Sequence, residues 1–175
     1  MHAMKEVRFG EAPFSHSRSP GCLLFQPAAS SLRLRRPGPR RTSRKPTRPG
    51  LGEIMTLQQM RHTKLWLAGE VQNWDLAAYE LDELGEGFDD VVRFHPTHKE
   101  SPVAPKDAIP RMITVPLMEL RSSIEKKDTA TFEQRYDKLT AACNSCHEAM
   151  NFTFNVVQRP VGNPYPNQVF APVRR

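Results

Sequence analysis

The chain has 175 residues, with 25 Lys+Arg, 19 Asp+Glu and three cysteines. That length accommodates one ordinary domain and an appendage, and so few cysteines exclude a disulfide scaffold. No stretch approaches the roughly 20 consecutive apolar residues of a membrane helix, so no membrane span is expected.

The formal charge of +6 is concentrated at one end: residues 1–50 hold 11 Lys+Arg against 2 Asp+Glu, and residues 51–175 hold 14 against 17. The part able to fold is therefore mildly acidic, and no nucleic-acid partner is expected. Residues 1–50 read as a disordered basic Arg/Pro-rich extension. Runs such as Arg33-Leu34-Arg35-Arg36-Pro37 bury too little apolar surface to offset the entropy of ordering them. Cys22 stands alone in this extension.

Four helix-length segments follow. The first spans about Gly52 to Gln72, with Ile54, Leu57, Leu65 and Ala68 on one stripe and Met60, Leu67 and Val71 widening it. A second opens at Asn73 or Asp75, both good N-caps, and carries Ala77, Leu81, Leu84, Phe88 and Val91 at helical spacing. It should stop before Pro96, because proline disfavours helical geometry in the residue preceding it. After a Pro-containing loop over residues 95–106, Asp107 opens a third segment with Ile109, Ile113, Leu117, Leu120 and Ile124 on one face; Pro116 predicts a kink or a late start. The fourth begins near Asp128 or Thr131, where Thr131 and Gln134 have capping-box spacing, and its stripe runs Phe132, Tyr136, Leu139, Cys143, Cys146 and Met150. Residues 153–175 contain four prolines and scattered apolar side chains, which suits a non-helical tail packed on the helices. Four amphipathic helices with short connections predict an all-α, up-down-up-down four-helix bundle over residues 51–152.

Chemistry is concentrated in Cys143-Asn144-Ser145-Cys146-His147. Positions i, i+3 and i+4 share a helix face, so two thiols and an imidazole converge on the apolar side of the last helix. Cys-x-x-Cys-His is the attachment signature of a covalent c-type haem, with the thiols meeting the vinyl groups and the imidazole the iron. A structural zinc site would need four Cys/His ligands, and a second pair is missing. A thiol-redox pair would be expected in a βαβ setting, which this helical pattern does not offer.

A four-helix bundle with this motif late in its last helix resembles the class II c-type cytochromes, the cytochrome c-prime group and its low-spin, methionine-ligated relatives. The resemblance covers roughly residues 51–152. It implies thioether bonds at Cys143 and Cys146, His147 as proximal iron ligand, one covalent haem, a periplasmic location, redox protein partners, and homodimer pairing through the first two helices. Two departures stand out: the chain continues well past the motif, and residues 1–30 carry no signal peptide, so the natural start is expected to lie elsewhere.

For the sixth iron position the candidates are Met55, Met60 and His62. If the first and fourth helices are antiparallel, counting 17 residues inward from Gln72 and from Ala130 pairs Met55 with His147. His62 lies on the same face about 10 Å further along the axis. Arg61 falls near the centre of the first stripe, where it either meets a haem propionate or pairs with a second-helix carboxylate such as Glu80. Tyr136 and Trp66 read mainly as core, and His95 and His98 as loop residues too few to make a metal site. No catalytic constellation is visible, so no enzyme activity is expected. The expected function is electron transfer; five-coordinate binding of nitric oxide and a haem-free helical interaction module are the alternatives.

Overall fold

A computed structural model describes residues 48–99 and 101–173, all within one compact unit. The extension expected over residues 1–50, with Cys22, lies outside the described residues except for Arg48–Gly50.

Among the described residues there are helices and no strands: α1 (Leu51–Glu70), α2 (Trp74–Phe94), α3 (Pro105–Met112), α4 (Thr114–Glu125) and α5 (Thr129–Ala149). Local chemistry explains their limits. The Asn73 side chain accepts the Leu76 N–H at the start of α2, and α2 stops at Phe94, two residues before Pro96. Asp128 caps α5 by accepting the Thr131 N–H at 3.1 Å, which makes Thr131 part of the first turn and leaves it no capping role of its own.

The expected third helix is two. It starts earlier than Asp107, because Pro105 occupies its first turn, where a missing N–H costs nothing. It breaks at Ile113 because Pro116 has no N–H for the Met112 carbonyl and its ring crowds that carbonyl. The break leaves Ile109 and Ile113 both buried against the core.

Helix α1 packs on α2 and on α5, while α4 packs on α5 and α2. Both α1 contacts are antiparallel. Gln58 meets the Leu84 carbonyl while Arg61 meets Glu83, and on the other side His62 meets Thr140 while Trp66 meets Phe132. The buried line of α1 differs from the expected stripe: Leu57 and Val71 are exposed, while Gln58 and His62 are buried. These two polar side chains can occupy the core because each finds a hydrogen-bond partner on a neighbouring helix.

An aromatic cluster of Trp66, Trp74, Phe132 and Tyr136 fills the far half of the α1–α5 contact. The helices approach closely there because residue 69 is glycine; a Cβ at that position would lie 2.1 Å from Phe132 Cζ. The Phe132 ring is fully buried and held by three aromatic neighbours, so it has nowhere to retreat. Gly69→Ala is accordingly expected to destabilise the fold by about 1–3 kcal/mol, read as a lower urea midpoint.

The tail after α5 is non-helical and lies against the helices. Phe170 is buried, with its carbonyl accepting from Asn73 Nδ2 at 2.8 Å, and Arg159 places its guanidinium 4.1 Å from the Trp66 ring centre while pairing with Asp137. The ring and the carboxylate hold the Arg159 head from two sides.

Candidate functional site

Cys143, Cys146 and His147 occupy the last two turns of α5. The helix then ends in a Schellman turn: Asn151 adopts φ 65°, its N–H bonds the Glu148 carbonyl, and the Phe152 N–H bonds the His147 carbonyl at 2.7 Å. Asparagine tolerates this left-handed geometry better than most residues, and the turn folds the chain back beside the histidine. Two further contacts hold the returning segment. The His147 Nδ1–H donates to the Asn155 carbonyl at 2.6 Å, and the Asn144 amide clasps the Val157 backbone, donating to its carbonyl and accepting from its N–H.

The Asn155 contact fixes the His147 tautomer. With the proton on Nδ1, Nε2 carries the lone pair, as in histidines that bind metals while donating their other ring nitrogen to a carbonyl.

Beside the motif lies a cavity of about 330 Å³, lined by Cys143, Cys146 and His147 from α5, Met55 from α1, and apolar side chains including Leu84, Phe88 and Ile113. That volume falls within the usual range for a cofactor or small-molecule pocket. Both thiols are free. Burial pushes the Cys143 thiol up to about 12, with Cys146 nearby adding to the shift, and burial raises Cys146 as well. Both are therefore neutral thiols at physiological pH, the opposite of the lowered pKa that marks a thiol-exchange cysteine.

On the facing wall the antiparallel register carries an implication. His62 is level with Tyr136–Thr140 and Trp66 with Phe132; continued back to the first turns of α1, the same register brings Met55 level with the turn from Cys143 to His147. Met55 is half-buried and lines the cavity, whereas Met60 is not among the lining residues. Arg61 is not among them either. It turns toward α2 and pairs with Glu83 at 2.8 Å, one turn along from the Glu80 carboxylate singled out in the sequence.

His62 lines the cavity, but both its ring nitrogens are engaged. Nδ1 lies 2.9 Å from the Tyr136 hydroxyl and Nε2 lies 2.9 Å from the Thr140 hydroxyl. Those hydroxyls also approach the His62 and Tyr136 carbonyls, so a neutral ring leaves three hydrogens for four contacts. An imidazolium would supply the fourth, yet burial opposes its charge and lowers the His62 pKa to about 4.

A pH prediction follows from that shift. An unfolded histidine binds its proton near 6.5 and the folded one only near 4. The stability due to neutral His62 is thus present above 6.5 and is lost as pH falls from 6.5 toward 4, by about 3 kcal/mol. Urea titrations of wild type and His62→Gln should show their stability difference shrinking by that amount between pH 7 and pH 4.

The loop histidines behave differently from one another. His95 donates from Nε2 to the Pro49 carbonyl and accepts at Nδ1 from Arg48, so it holds the strand of chain entering α1. His98 lines the cavity. Tyr136 and Trp66 lie in the aromatic cluster and not among the lining residues. The contributions of Asn144, Asn155 and His98 are not apparent in the sequence; only the Asn-rich composition around the motif hints at backbone clasps.

Among the described residues no three His, Cys, Asp or Glu side chains converge as a metal-ion cluster. A haem brings four nitrogen ligands of its own and requires only one or two from the protein, so the donor set present suits it better than it suits a bare ion. The cavity is apolar over most of its lining, flanked by two thiols and by an imidazole with its lone pair on Nε2, and these residues fit that group. No family model, curated protein or solved structure matches the chain.

Proposed function

We infer that the chain is a monohaem c-type cytochrome that carries electrons, built as an antiparallel up-down-up-down four-helix bundle of the class II kind and working in the periplasm with protein redox partners. The observation that carries this reading is the opening of both motif thiols and His147 onto one apolar cavity whose facing wall holds Met55. Cys143 and Cys146 would hold the haem through thioethers, His147 would take the proximal position and Met55 the sixth. When bound, haem supplies a one-electron iron couple.

The remaining steps belong to the protein. The Asn155 carbonyl orients the His147 ring and, by accepting its Nδ1–H, makes Nε2 a stronger donor. Apolar walls from α2 and α3 would disfavour the extra positive charge of an oxidised centre, which would raise the reduction potential. Among the described residues neither Lys nor Arg lines the cavity, and His62 is held neutral, so little charge from them offsets that effect.

The test is maturation of the protein in a periplasmic haem-attachment strain, followed by a pyridine haemochrome spectrum. One covalent haem per chain is the expected result. A colourless, folded protein would favour the haem-free interaction module.

A further inference from the structure

The cavity beside the motif is closed on one side and open on another. Its walls from α2 and α3, among them Leu84, Phe88 and Ile109, are buried, and the lining residues that reach solvent are Gly52 and Gln59 on α1 and Phe154 and Asn155 on the segment returning from α5. The mouth therefore lies between α1 and that segment. It leads into a groove that shares Gln59, His62 and Val157 with the cavity and adds the polar side chains of Thr63, Gln158 and Asn163. Polarity rises from the interior toward solvent. Of the polar side chains on the cavity wall, Gln58 is committed to the Leu84 carbonyl and to Arg61, and His62 to Tyr136 and Thr140. His98 has its Nδ1 buried, with almost no surface through which to meet an occupant. Gln59 and Asn155 differ from these. Their bonds to other described residues run through the backbone, with the Gln59 carbonyl accepting from Thr63 Oγ1 and the Asn155 carbonyl from His147, and both side-chain amides stand at the mouth.

We propose that the carboxylate edge of the haem faces this mouth, with the side-chain amides of Gln59 and Asn155 each donating a hydrogen bond to a propionate. This rests on the haem reading above. The two carboxylates share one edge of the macrocycle, and a carboxylate left unpaired among apolar walls is costly, so that edge goes to the open, polar side. Among the described residues no Lys or Arg lines the cavity, and Arg61 is committed to Glu83, which leaves the two amides as the donors at the mouth. Their places suit the two faces of one plane. Gln59 lies one turn beyond Met55 on the same side of α1, while Asn155 accepts the His147 Nδ1–H through its carbonyl, so one amide approaches from the sixth-ligand side and the other from the proximal side. Each bond draws off part of a carboxylate's negative charge, which otherwise stabilises ferric iron.

The experiment uses the matured holoprotein, with haem content and covalent attachment measured first on every sample. In the diamagnetic ferrous wild type, the side-chain amide protons of Gln59 and of Asn155 should each show Overhauser contacts to a propionate methylene, a readout that needs no variant to fold. Gln59→Leu and Asn155→Leu should each shift the propionate-bending band in the resonance Raman spectrum and lower the midpoint potential with no change of spin state; Asn155→Leu keeps the backbone carbonyl that orients His147. Gln59→Arg restores a donor and adds positive charge, and should move the potential the other way, above wild type. In a protein that carries covalent haem, absence of either Overhauser contact, contacts from the His98 ring in their place, or an unmoved Raman band in both Leu variants overturns the assignment and leaves the haem reading standing. Wild type carrying no haem, or haem that acid solvent extracts, refutes the covalent-haem reading itself and removes this assignment with it.

Discussion

Replacing Cys143 and Cys146 together by alanine is expected to convert a haem that resists acidified organic solvent into one that is extracted almost completely. Both thiols face the cavity, and burial keeps them protonated at physiological pH. They sit three residues apart on α5, so each can take one side of a macrocycle lying against that helix face. Single replacements should leave one covalent link and therefore an unextractable haem, with an altered haemochrome maximum because one vinyl group remains. The fold should survive the exchange, since truncating a cysteine removes one sulfur from a wall that already borders open space. If wild-type haem is as extractable as that of the double variant, the attachment is not covalent and the c-type assignment fails.

Met55→Ala should have the second large effect, the loss of the sixth ligand. Ferric wild type is expected to be low-spin and to show the weak far-red charge-transfer band of thioether ligation. The variant should lose that band entirely, become high-spin, and bind added cyanide or imidazole readily. The expectation comes from register: the His62–Thr140 and Trp66–Phe132 contacts set the α1–α5 alignment, and that alignment brings Met55 level with the turn from Cys143 to His147. A flexible thioether on the cavity wall has the reach and softness to meet iron. Met60→Ala should change neither band nor spin state, because Met60 does not line the cavity. Conversion by His62→Ala instead would mean that His62 abandons Tyr136 and Thr140 on maturation and that the site is bis-histidine. If none of the three variants changes the spin state, the iron is five-coordinate and binding of a small gas such as nitric oxide replaces electron transfer as the function.

Much of the local structure was legible from the residues. The extents of α1, α2 and α5, the stop before Pro96 and the disruption around Pro116 follow from periodicity, caps and the missing proline N–H, all of which act within one segment. The grouping of Cys143, Cys146 and His147 on one face is legible for the same reason, since helical geometry alone relates them. The early start of α3 was missed because Asp107 offered a plausible opening, while Pro105 in the first turn was the better one.

What the tertiary structure alone decided are the partners drawn from different segments. Periodicity marks Leu57 as core, yet the rotation of α1 against α2 and α5 buries Gln58 and His62 instead, because the Leu84 carbonyl and the Thr140 and Tyr136 hydroxyls are there to receive them. Arg61 meets Glu83 and not Glu80 because the α1–α2 register, a sum over many packed side chains, selects one carboxylate among several. The tail shows this most clearly: a Pro-rich stretch has no repeat from which to read its path, so the bond from His147 to Asn155, the Asn144 clasp on Val157 and the placing of Phe152 against His98 depend on how the chain returns after Asn151. The sequence by itself determined the helices and the chemical motif, because those depend on neighbours within a turn or two. Packing decided the cavity, its facing wall and the histidine beside it, because contacts between segments far apart in the chain depend on the register of whole elements.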